Sequence, residues 1–312
     1  MYISGRSRLE PFKIHILGCG SALPTLKHNS SSQVVEVRGK LFMVDCGEGT
    51  QIFLRRSHIS FTRLQAVFIS HLHGDHCFGL IGMISTFGLQ GRTAPLHIYA
   101  PAALEPMLLQ QMEMFCHGLE YKVIFHPVDT TVQAVVYEDR SLQIESVPLN
   151  HRMPCCGFLF REKPSLPHIR RDMIDFYGIP VSQIQNIKNG AGWVTEEGEV
   201  VSHERLVTPA DAPRSYAYCS DTKYMPQLCE VVKGVDLLYH ESTYTEEERD
   251  KARLYYHSTA ADAARVAKDA NVGRLMLGHY SARYDDENVI LKEAQAIFTK
   301  SFLSDEGMVV DI

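Results

Sequence analysis

The chain has no Cys-x-x-Cys pair, although eight cysteines are spread through its 312 residues. Scattered thiols point to a reducing, cytoplasmic setting and exclude a disulfide framework. Cys155 and Cys156 are adjacent and read as small core residues. Also missing is any run of about 20 apolar residues, which excludes a spanning helix and a membrane partner. The opening MYISGRSRLEPFKIHILG has no long apolar core after a basic start, so no secretory signal is expected. Nor is there an excess of cationic side chains. Lys and Arg total 31 against 37 Asp and Glu, giving a formal charge of −6. That is not a surface coated for nucleic acid. A nucleic-acid substrate then requires a local basic patch, or metal ions as the positive charge. Internal repeats and low-complexity segments are lacking too. With 45% hydrophobic and 22% charged residues, the composition is that of an ordinary globular protein able to bury a large core.

What the chain does have is "VFISHLHGDHCFGL", residues 67–80. His71, His73, Asp75 and His76 follow directly on an apolar run. In an extended turn His71 and His73 can face one ion, while Asp75 and His76 face a second. Short β-branched runs, KIHILG, SQVVEV and KLFMVD, read as strands, the last two joined at Arg38-Gly39. FGLIGMISTFGL has helical length and spacing. PAALEPMLLQQMEMF reads as a helix with Pro101 near its start. HSTAADAARVAKDA reads as a helix opened by a capping box of Thr259 and Asp262.

Where apolar strands run out, metal-capable side chains recur. LQAVFIS leads to His71, LQIESVPL to His151, YAYCS to Asp221 and RLMLG to His279. Sites in layered α/β folds gather at such strand ends. Imidazole and carboxylate together suit zinc, and a carboxylate such as Asp221 can bridge two ions that activate water and clamp a phosphoryl group. Residues 160–208 differ from their surroundings. They are rich in Pro and Gly, begin with a basic stretch, and contain a hairpin pattern around Glu197-Gly198. They read as an arm inserted into a single domain spanning 1–312.

His-x-His-x-Asp-His followed by distant His, Asp and His is the pattern of the metallo-β-lactamase superfamily. The longer words "FISHLHGDHCFGL", "LNHRMPCCGF", "YCSDT", "YHESTY", "HSTAADAARVAKDA" and "LGHYSARY" resemble ribonuclease Z, the tRNA 3′-processing endoribonuclease family, over nearly the whole chain. The resemblance implies an α/β fold, a four-layer αββα sandwich with a projecting arm. It implies two zinc ions per subunit. His71, His73 and His151 would hold one, Asp75, His76 and His279 the other, and Asp221 would bridge. Superfamily members of the flavodiiron type have Glu where His73 stands, which argues against redox chemistry.

The same resemblance implies precursor tRNA as substrate and a homodimer in which one subunit's arm clamps tRNA cut by the other. Asp75 would orient the attacking water, His257 would protonate the leaving 3′ oxygen, and Glu241 would hold His257. Ser281 and Arg283 would meet phosphate. Lys27, His28 and Asn29 in "PTLKHNSS" would touch the acceptor end, although the family loop usually has Arg at the position of His28. On the arm, Arg161, Lys163, Arg170 and Arg171 suit an RNA backbone. The family's Gly-Pro motif is replaced here by Gly178-Ile179-Pro180. Two other readings fit less of the chain. A phosphodiesterase for small or cyclic esters needs no arm, and a non-catalytic RNA-binding subunit needs no complete donor set.

Overall fold

A computed structural model describes residues 10–312. The first nine, part of the stretch read for a secretory signal, lie outside it. Two compact units form. The larger comprises Glu10–Glu138, Gln143–Arg161 and Arg214–Ile312; the smaller includes Asp139–Leu142 and Glu162–Pro213.

In the larger unit two seven-stranded sheets face each other. The first runs, in spatial order, Val309–Asp311, Phe12–Gly18, Ser32–Val37, Lys40–Val44, Leu64–Phe68, Leu96–Pro101 and Val123–Val128. It is antiparallel up to Lys40–Val44 and parallel beyond. The second runs Ser301–Leu303, Arg274–Gly278, Leu237–Glu241, Ser215–Cys219, Cys156–Glu162, Leu142–Pro148 and Val135–Glu138. Its first four strands are mutually parallel.

Side chains on a strand alternate between faces, and the sequence uses both faces. Met43 and Val67 join the core under the helices Thr50–Arg56, Gly79–Leu89 and Leu104–Phe115. Their neighbours Phe42 and Phe68 point the other way. Phe68 meets Phe158 edge-on at 5.2 Å, and Phe42 lies 6.4 Å from Phe160. Both partners belong to the second sheet. The helices Ala260–Asp269 and Asn288–Gln295 cover that sheet's strands. The four layers are therefore helix, sheet, sheet, helix, as expected.

Local signals resolve as read, with one correction. Arg38 and Gly39 both take positive φ, 49° and 79°, as a two-residue hairpin turn of primed type requires. Thr259 and Asp262 cap the Ala260–Asp269 helix reciprocally. Pro101, however, ends the strand Leu96–Pro101, paired with Val128, and the helix starts only at Leu104. A proline is tolerated at such a strand end, where the ladder is finishing. Among the described residues, no helix is long and apolar enough to cross a membrane.

The smaller unit holds two short antiparallel pairs, His168–Ile169 with Val207–Thr208, distant in sequence, and the hairpin of Trp193–Val194 with Val200–Val201. Its own small core is Ile174, Ile179, Ile187, Val201 and Leu206. Ile179, the residue separating Gly178 from Pro180, is thus a core residue of this unit.

Replacing Thr259 with Ala removes the acceptor for the Asp262 N–H and should cost about 1 kcal/mol. A thermal midpoint a few degrees lower is the expected readout; an unchanged midpoint would show that the cap contributes nothing.

Candidate metal centre

The loop after the Leu64–Phe68 strand carries His71 and His73 and turns into a short helix, Gly74–Cys77, that presents Asp75 and His76. Close backbone approach allows this turn. A Cβ on Gly79 would lie 1.9 Å from the Gly47 carbonyl oxygen. Asp221 and His279 follow the ends of two parallel strands of the second sheet, with φ of 62° and 60°. The left-handed region costs a residue with a Cβ about 1–2 kcal/mol. Strain of this kind is typical of functional sites.

Asp221 is buried between two groups of histidines. Its Oδ2 lies 3.5 Å from His71 Nε2 and 3.6 Å from His151 Nε2. Its Oδ1 lies 3.2 Å from both His76 Nε2 and His279 Nε2. Asp75 Oδ2 is 3.3 Å from His76 Nε2 and 3.4 Å from His279 Nε2. His73 Nδ1 sits 3.0 Å from His71 Nε2 and 3.2 Å from His151 Nε2. The seven residues named from the sequence converge, in the two groups named.

Hydrogen bonds on the outer side fix which nitrogen faces inward. His76 Nδ1 donates to Asp45 Oδ2 at 2.7 Å and His151 Nδ1 to the Tyr256 carbonyl at 2.9 Å. His71 Nδ1 donates to Ser70 Oγ at 3.0 Å, whose own hydrogen goes to Asp45. His279 Nδ1 donates to Thr243 Oγ1 at 2.9 Å, whose hydrogen goes to Glu241. All four Nε2 atoms are thereby aimed at one another and at carboxylate oxygens. In neutral rings they carry lone pairs, and lone pairs facing each other need a shared cation. This is the outer support that metal-binding histidines require. The donor sets His71, His73, His151, Asp221 and Asp75, His76, His279 fit metal ions.

The electrostatics agree. Burial, with the charge of nearby histidines, holds His71 well below the usual imidazole range, and burial also lowers His73 and His151. Burial opposes charge on His76, yet Asp221, Asp75 and Asp45 hold it protonated, well above its usual range. Burial likewise opposes Asp221 and Asp75, but the surrounding rings keep both carboxylates ionised. The pocket demands positive charge.

Beside this cluster His257 Nδ1 donates to Glu241 Oε1 at 2.8 Å. Glu241 is fully buried and also accepts from the Thr222 N–H and the Thr243 hydroxyl. Burial disfavours charge on His257, but Glu241 outweighs it and raises the imidazole to about 9. His257, Asp75, Asp221, His279 and Ser281 line a cavity of ≈ 570 Å³ together with Phe78, Arg152 and Tyr255.

Other expected substrate contacts are engaged elsewhere. The Lys27 ammonium pairs with Glu287, and Asn29 Nδ2 donates to the Leu17 carbonyl. Arg283 pairs with Glu248 at 3.2 Å and lies over the Tyr244 ring. On the smaller unit Arg170, partly exposed, pairs with Asp172, and Arg171, well exposed, with Asp175. Arg161 belongs to the core sheet and reaches the Val231 carbonyl. His28 is turned inward and buried.

Asp45 was missed. It accepts from His76, from the Ser70 N–H and hydroxyl, and from the Tyr218 hydroxyl at 2.7 Å. The signal was present, since KLFMVD is another apolar strand ending in a metal-capable residue. Thr243, between Glu241 and His279, had no such signal.

Curated relatives share this chain almost end to end. Ribonuclease Z of Bacteroides fragilis (strain YCH46) is 57% identical over 304 residues, covering 97% of this chain and 100% of the relative. Ribonuclease Z of Porphyromonas gingivalis (strain W83) is 47% identical over the same shares. The chain belongs to the ribonuclease Z family. Human tRNase Z, short form, superposes with a TM-score of 0.69 at 25% identity, covering 96% of this chain and 98% of that one. The metallo-β-lactamase fold protein YhfI of Bacillus subtilis, with a TM-score of 0.68 at 18% identity, covering 97% of this chain and 100% of that one, shares the fold. A family model described as Anti-Pycsar protein Apyc1 matches residues 12–166. Membership in the ribonuclease Z family, with this fold and these clusters, implies metal ions.

Asp45→Asn keeps the shape but weakens the anchor on His76. A loss of about 10–100-fold in divalent-metal affinity is expected. Competition titration with a chromogenic chelator would read it, and unchanged affinity would remove Asp45 from the centre's support.

Proposed function

We propose that this chain is the zinc-dependent endoribonuclease that removes the 3′ trailer of precursor tRNA, hydrolysing the phosphodiester after the discriminator base. The observation that carries the reading is a proton donor beside a charge-hungry cluster. His257, backed by Glu241, shares one cavity with Asp75, Asp221 and His279. The family membership supplies the substrate class.

Two zinc ions would be held by His71, His73 and His151 and by Asp75, His76 and His279, with Asp221 serving both. When bound, they supply positive charge to a scissile phosphate and lower the pKa of water. The chain's own residues do the rest. Asp75, ionised and close to both His76 and His279, orients the attacking water. Glu241 keeps His257 protonated at neutral pH, so the imidazolium can give its proton to the departing 3′ oxygen. Asp45, Ser70 and Thr243 hold the rings in place. Ser281 lines the cavity and is suited to a phosphate oxygen, and Arg283 lies next to it. Lys27, Asn29, Arg170 and Arg171 would contact the RNA after exchanging their present partners. The family resemblance also supports a cytoplasmic homodimer, with residues 160–208 as an arm on tRNA.

A second reading, a phosphodiesterase for small or cyclic diesters, is favoured by the cavity volume, which falls in the range of small-molecule sites. The deciding experiment sets a 3′-extended precursor tRNA beside bis(p-nitrophenyl) phosphate, both with zinc-loaded protein. Cutting at the discriminator base supports the endoribonuclease. Turnover of the small ester alone would overturn it.

The leaving group provides a sharper check on His257. A ribose 3′ oxygen needs a proton to depart, whereas p-nitrophenolate does not. His257→Ala should therefore slow precursor tRNA cleavage by about 10²–10⁴-fold. Hydrolysis of the small ester should change little. Equal losses on both substrates would contradict the proton-donor role.

A further inference from the structure

The loop between the Phe12–Gly18 and Ser32–Val37 strands supplies Ser21, Ala22, Pro24 and Ser30 to the cavity. Apolar burial does little to hold it. Leu23 is 68% exposed and Leu26 is fully exposed. Polar contacts tie it down instead, the Ser21 N–H to the Tyr280 carbonyl at 3.0 Å among them, and the most buried of these is at His28, a residue 7% exposed whose ring faces a carboxylate at each nitrogen. Nδ1 lies 2.9 Å from Glu306 Oε2, and Nε2 lies 3.1 Å from Glu287 Oε1. Glu306 Oε1 in turn accepts the Asn29 N–H at 2.8 Å and the Cys19 N–H at 3.3 Å. The imidazole also leans on Tyr280, 5.2 Å between centroids, next to His279.

We propose that His28 is a positioning residue: as an imidazolium clamped between Glu287 and Glu306, it fixes the cavity-mouth loop for RNA. The proposal rests on the endoribonuclease reading of the neighbouring site. Only the cation has N–H donors on both nitrogens. A neutral ring would turn one lone pair toward a carboxylate. Hydrogen bonds between ionised partners are roughly twice as strong as neutral ones.

Other groups facing the ring agree with a cation there. The Cys19 thiol lies 3.4 Å from Nδ1 and donates to the Ser304 carbonyl, and burial pushes its pKa up, so it stays neutral. Burial does the same to the Tyr280 phenol. On the loop itself Lys27 also pairs with Glu287 and donates to the Asp285 backbone carbonyl, and Asp286 and Asp305 add negative charge near that ammonium. Burial opposes charge on His28, but Glu306 and Glu287 outweigh it and raise its pKa. The clamp is therefore complete below the ordinary imidazole range and loosens as pH rises through the raised value.

The test compares wild type, His28→Gln and His28→Arg on precursor tRNA and on bis(p-nitrophenyl) phosphate across neutral to alkaline pH. His28→Gln should raise KM for tRNA about tenfold near neutrality, with kcat within about twofold. Small-ester turnover should not change. Wild-type KM for tRNA should climb toward that of His28→Gln at alkaline pH, while His28→Arg, permanently charged, should not follow. Amide hydrogen exchange in residues 19–31 should quicken in His28→Gln. Unchanged exchange, equal KM values, or equal losses on both substrates would overturn the clamp. A wild type unable to cut precursor tRNA would instead refute the endoribonuclease reading, and exchange would still judge the clamp.

Discussion

Asp221 is a buried carboxylate with six imidazoles around it. One oxygen faces His71 and His151, the other His76 and His279, and His73 and His257 lie within the same clusters. An ionised acid in such a place is costly unless compensated. The compensation organises the fold around it. Four strand ends from two sheets meet here, Asp221 and His279 take left-handed backbone, and a second layer of Asp45, Ser70, Thr243 and the Tyr256 carbonyl aims the rings of His76, His71, His279 and His151. Asp221, Asp75 and Asp45 together hold His76 protonated against its burial.

The sheets' inner packing places those ends with little freedom. Phe42, Phe68, Phe158 and Phe160 lock the sheets face to face, and the Tyr218 hydroxyl ties the second sheet to Asp45 of the first. The same Asp45 orients His76. Packing between sheets and geometry at the cluster therefore share an atom, Asp45 Oδ2, so a core defect there reaches the site directly.

Much of this was legible in the sequence because the cluster is built locally. His71, His73, Asp75 and His76 occupy one turn, and His151, Asp221 and His279 each follow an apolar strand. The β-branched strand runs and the Thr259 cap were equally local. What stayed hidden depends on partners far along the chain. Nothing near Lys27 announces Glu287, and nothing near Arg283 announces Glu248, so cations that looked available for RNA are already paired. His28 looked like a substrate contact because its two carboxylates lie more than 250 positions away. Pro101 was assigned to a helix because proline favours both helix starts and strand ends, and only the pairing with Val128 decides.

The most direct test of the account is metal stoichiometry. Wild type and Asp221→Ala would be dialysed against zinc and analysed for bound metal, with circular dichroism confirming that both are folded. The account predicts two zinc ions per wild-type chain and depletion of both in the variant, because one carboxylate serves both groups of histidines. A folded variant that still held two ions, or a wild type that held none, would contradict it.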